Sequence, residues 1–171
     1  MIMKNKKGQG VMGIPFNIIF SIIIIIFILA AAFIAIRWFF DFGTTSQIGV
    51  FLTDFQGQVD NAWNSQSADY NFNSSLPSGV EYICFVNFTA PISGADPIET
   101  KIYNDQKFTG IDWNKINFLI YSSTKDFGGL ERNQIKHISL PTSNPYCIKV
   151  ENGKVSIKLS KNFDEPLVSV S

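Results

Sequence analysis

The chain has 171 residues, about the length of one ordinary domain, of which 46% are hydrophobic and only 16% charged. That apolar excess excludes a disordered chain, and fourteen basic against fourteen acidic residues leave no net charge to attract a nucleic-acid backbone. The excess is concentrated in one place, because between Ile14 and Ile36 almost every residue is apolar.

The first predicted element is that run of 23 residues without a charge, extended past Arg37 by Trp38, Phe39 and Phe40. A helix of that length spans about 34 Å, enough for a hydrocarbon core of about 30 Å. Pro15 falls in the first turn, where its missing N–H has no helical partner to lose. Lys4, Lys6 and Lys7 precede the run with no acid among them, whereas Arg37 and Asp41 cancel beyond it. The positive-inside rule therefore places the N-terminus in the cytoplasm and residues 43–171 outside the cell membrane, in a single pass. Residues 1–13 are a basic leader and residues 14–40 a transmembrane helix. Ala30, Ala31 and Ala32 would suit a cleaved secretory signal, but the apolar stretch continues beyond them to Phe40.

Lys6-Lys7-Gly8-Gln9 sets two lysines and a glycine directly before the hydrophobic helix. This arrangement resembles the class III signal of archaeal type IV pilin-like proteins over about residues 4–40. The resemblance implies cleavage by a prepilin-type peptidase between Gly8 and Gln9. It also implies a helix that stays in the lipid bilayer until it enters the core of a filament. Without the resemblance, the same lysines read as the positive flank of a membrane helix.

Asp41 to Ser46 (DFGTTS) reads as a break, with Thr44, Thr45 and Ser46 available to cap a new helix. From there Ile48, Phe51, Leu52, Phe55, Val59, Ala62 and Trp63 recur at helical spacing, which predicts an amphipathic stem helix over about 45–66. Its apolar stripe either packs on the outer domain or meets neighbouring subunits. Residues 67–79 carry mostly polar and turn-forming types and read as a linker.

Residues 80–171 read as β structure. Candidate strands are 80–88, 100–103, 116–122, 135–140, 146–151, 154–160 and 166–171, with 80–88 central because it is apolar on both faces. Asn152-Gly153 is the pair a type I′ hairpin turn demands. The register it implies pairs Val150 with Val155, Ile148 with Ile157, Tyr146 with Leu159 and Glu151 with Lys154. The fold class expected is an α+β membrane protein: a transmembrane helix, an amphipathic helix, then a small antiparallel β domain that is sandwich-like or packed on the helix.

Cys84 and Cys147 both fall in the outer part, where an oxidising exterior favours a disulfide. The predicted register puts Cys147 on the face of Lys149 and Glu151, so a bridge requires that face to be covered. A metal site from Cys84, Cys147 and His137 has no close ligand spacing and is set aside. No catalytic or cofactor motif is present, so no catalytic role is assigned to any residue, and Glu99 and Asp112 read as loop charges. Two N-x-S/T sequons, at Asn73 and Asn87, mark candidate glycosylation sites, with Asn73 the better placed.

Three functions compete on these residues. The first is a pilin-like surface subunit that self-associates through its helix. The second is an uncleaved single-pass protein displaying a β binding module or serving an envelope complex. The third, a membrane-tethered enzyme, would need a polar cluster that the sequence does not display.

Overall fold

The computed structural model describes residues 13–107 and 112–171, which fall into two units, one up to Phe42 and one from Gly43 to Ser171. Helix α1, Gly13–Asn64, contributes to both. From Phe16 to Phe40 its side chains are exposed: Phe27 is 73% exposed, Trp38 78%, and the aliphatic residues between them are exposed as well. The one hydroxyl in the run, on Ser21, donates to the Asn17 carbonyl one turn back at 2.8 Å. This helix is long and apolar enough to cross a membrane.

The break expected at Asp41–Ser46 is absent, since these residues are helical. No proline stands there, and a mid-helix glycine such as Gly43 costs only about 1 kcal/mol relative to alanine. Serine and threonine hydroxyls also need not cap, because they can return to a carbonyl one turn back. Thr53 does so on Gly49 at 2.9 Å.

In the second unit the helical stripe is as the periodicity predicts. Ile48, Phe51, Phe55, Val59 and Ala62 are buried and Leu52 packs beside them, while Trp63 stays 38% exposed. Among the described residues eight strands form two four-stranded sheets against this stripe. The first sheet has the order β1-β7-β8-β5, with β1 at Ala68–Ser75, β5 at Ile138–Ser139, β7 at Lys154–Lys161 and β8 at Val168–Val170. The second has the order β4-β3-β2-β6, with β2 at Tyr82–Phe85, β3 at Phe118–Tyr121, β4 at Arg132–Asn133 and β6 at Tyr146–Lys149. All pairings are antiparallel except β5 with β8. Phe55 joins the layers, its ring 5.3 Å from Phe72 of β1, 5.5 Å from Phe118 of β3 and 6.1 Å from Phe85 of β2. The α+β class is therefore as expected, and the buried β2 lies inside its sheet as its two apolar faces require.

Four further expectations are corrected. Residues 67–79 are not simply a linker, because β1 pairs with β7 in unbroken register from Ala68↔Lys161 to Ser75↔Lys154. Its polar composition hides a strict alternation in which Tyr70 and Phe72 turn inward and Asp69, Asn71 and Asn73 face water. Residues 100–103 are not a strand but lie within helix α2, Pro97–Lys107. The signal was legible: Asp96 N–H donates to Glu99 Oε2 at 2.8 Å and Glu99 N–H to Asp96 Oδ1 at 2.7 Å, a reciprocal capping box with proline at the first helical position.

The strand expected at 135–140 shrinks to β5. Lys136 N–H is taken by Gln56 Oε1 of α1 at 2.9 Å, and His137 turns to a left-handed φ of 65°. Lastly, the Asn152-Gly153 turn forms as predicted, with φ of 51° and 70° and the Glu151↔Lys154 pair closed by two backbone bonds. The strands beyond it do not pair, however. β6 bonds to β2 and β7 to β1, so the two arms diverge into different sheets after one residue pair. Val150 and Val155 both enter the shared core instead of facing each other across a ladder.

Candidate functional site

Among the described residues, the most extended run of exposed apolar side chains lies on α1, from Phe16 to Phe40 and at Phe42. A contiguous exposed patch of Phe, Ile and Leu side chains on this scale is the kind of surface that marks an interaction site. Lys6, Lys7, Gly8 and Gln9, the expected processing residues, lie outside the described residues.

In the second unit the disulfide is present. Cys84 of β2 and Cys147 of β6 sit directly opposite, with Cα atoms 4.0 Å apart, and are bonded. The covering that the sequence required is supplied by α2, whose Ile102 and Tyr103 join Cys84, Val86, Phe88 and Leu119 in a second apolar cluster on the far face of that sheet. Glu99 ties the parts together: its Oε1 accepts the Cys147 N–H at 2.7 Å while Oε2 caps α2. This carboxylate, read from sequence as a loop charge, is a structural clasp that blocks an outward N–H on the edge strand β6. The bond consumes both thiols that a Cys/Cys/His metal site would need.

The two sequons differ in setting. Asn73 stands exposed on β1, the outermost strand of its sheet, and its amide makes only a long contact of 3.5 Å to the Asn71 carbonyl. Asn87 is half-buried, its Oδ1 accepting from Thr89 N–H at 3.0 Å and from Thr89 Oγ at 2.6 Å. Its backbone is gripped by Asn144, which accepts from Asn87 N–H and donates to the Asn87 carbonyl, both at 2.8 Å. Sequence reasoning missed Asn144, since an asparagine before proline signals only a turn.

The other polar groups also have structural work. The His137 ring stacks on Trp63 with centroids 3.9 Å apart and planes 7° from parallel, and its Nδ1 lies 3.0 Å from Asp60 Oδ1. Asp112 caps the 3-10 turn Trp113–Lys115, and the hydrogen bond from Lys115, followed by that from Asn114 N–H, holds its carboxyl below the usual range. Glu81 is held low mainly by the hydroxyl and backbone N–H of Ser123. Among the described residues no three His, Cys, Asp or Glu side chains converge as metal ligands. Comparison with protein-family models, with curated proteins and with solved structures found no match.

Proposed function

We propose that the chain is a pilin-like structural subunit of the cell surface, anchored in the membrane by its apolar helix and assembling through that helix with copies of itself or related subunits. In this reading a prepilin-type peptidase cuts between Gly8 and Gln9, the N-terminus faces the cytoplasm, and residues 43–171 lie outside. The protein acts by packing and display, not by catalysis.

One observation supports this above others. The same helix that is bare and apolar from Phe16 to Phe40 supplies, from Ile48 to Ala62, the central stripe of a folded β domain. A plain membrane tether has no reason to donate its continuation to the core of its cargo, whereas a stem that must carry a domain has. Ala30, Ala31, Ala32 and Ala35 further allow close approach of neighbouring helices. The disulfide suits an oxidising exterior.

The test is the N-terminal residue and intact mass of the protein taken from its native membrane or cell surface. A chain beginning at Gln9 supports the proposal. A chain that retains Lys4–Gly8 overturns it and leaves a bitopic anchor displaying a β module.

A further inference from the structure

We propose that Asn73 carries an N-linked glycan seated against the outer domain, and that Asn87 stays unmodified. The proposal rests on the outward placement of residues 43–171. In a strand, residues two apart share a face, so the acceptor Asn73 and the sequon hydroxyl of Ser75 stand together on the solvent side of β1. Their neighbour across the ladder, Ser156 of β7, is exposed on the same face. Because β1 is the outermost strand, nothing in its sheet stands beyond it to obstruct a transferase or the sugars that follow.

A second feature meets the first sugars. Where β6 and β7 part after the Asn152-Gly153 turn, they leave an open groove of about 870 Å³, with Asn73 on its rim. Asn152, Lys154 and Ser156 along it supply amide, ammonium and hydroxyl groups, the donors and acceptors that sugar hydroxyls pair with. Asn87 has the opposite environment. The next residue, Phe88, is buried, its ring 4.5 Å from Trp113 and 5.1 Å from Tyr103, and Asn144 holds the Asn87 backbone from both sides. The Asn87 side chain is itself half-buried, with its Oδ1 engaged by Thr89, the hydroxyl residue of its own sequon, which leaves less room for an added sugar than at the exposed Asn73.

The chemistry needs a lipid-linked oligosaccharide as donor. Asn73 Nδ2 forms a bond to the anomeric carbon, the bond from that carbon to the lipid phosphate oxygen breaks, the phosphate leaves as an anion, and one amide proton passes to solvent. A glycan at this place also covers the open edge of β1, which would otherwise template strand pairing between outer domains.

The test uses the full chain expressed in its native host. After reduction, cleavage at Arg37 and Glu81 and Glu99 puts the two sequons on separate peptides, 38–81 and 82–99. Sugar mass is expected on 38–81, lost in Asn73→Gln and in Ser75→Ala, which keeps the asparagine, and unchanged in Asn87→Gln. Sugar on 82–99, or a bare 38–81 from chains that external protease sheds from intact cells, overturns the proposal while the topology stands. A domain that external protease cannot reach overturns both.

Discussion

Phe55 shows how much one residue can carry. It is fully buried on α1 and touches aromatic rings from both sheets, so its removal opens a cavity that neither sheet can close alone. Phe55→Ala is expected to cost about 3–5 kcal/mol, read as a lowered urea midpoint of the detergent-solubilised chain; a loss under 1 kcal/mol would contradict this packing. Glu81 gives a pH prediction. Its folded pKa is depressed below the ordinary 4.5, so the stability it contributes is present above that value and is lost as pH falls through the folded one. Glu81→Gln should therefore flatten part of the acid limb of a stability-against-pH curve and leave the neutral limb flat. An unchanged acid limb would remove Glu81 from the account. From sequence this carboxylate was invisible, because its partner Ser123 is distant in the chain and meets it only once β2 and β3 pair.

At the scale of elements, periodicity identified what carries its own apolar signal: the stem stripe from Ile48 to Ala62, the buried β2, and the turn at Asn152-Gly153. It missed β1, where polar residues on the water-facing side diluted two aromatic ones, and α2, whose capping box was in plain view but whose apolar residues are few. The turn itself is testable. Gly153 has a φ of 70°, and a Cβ there would stand 3.1 Å from the Leu76 carbonyl oxygen. Gly153→Ala should destabilise by about 1–2 kcal/mol in thermal unfolding, and a stabilised variant would refute the left-handed turn. The disulfide joins β2 to β6 across 63 residues of chain. Cys84→Ala with Cys147→Ala should lower stability by about 4 kcal/mol in the loop-closure estimate. The paired variant is compared with wild type in denaturant, and equal midpoints would show that the α2 cluster holds the sheet without the bond.

For the molecule as a whole, the proposed membrane anchorage rests on the apolar run of α1. Placing a charge near its middle, as in Ile24→Arg, should cost about 2.5–3.5 kcal/mol of insertion. The expected result is partial release from membranes under an alkaline carbonate wash, against full retention of the native chain; full retention of both would argue that this segment is not held by lipid. The sequence alone was enough for the long apolar helix itself, for the helical face of the stem, for the central place of β2 and for the conformation of the Asn152-Gly153 turn. Each rests on local pattern, on the spacing of apolar residues or on backbone sterics within a few positions. Tertiary structure alone decided that β6 and β7 leave their turn for different sheets, that a polar segment becomes a full-length strand, and that α2 covers the disulfide. In each of these, competing partners offer similar local chemistry. The choice falls to whichever arrangement packs Val150, Val155 and Phe72 into the core on one face of β2's sheet while covering Cys84 on the other, a sum over contacts distant in the chain that no local pattern contains.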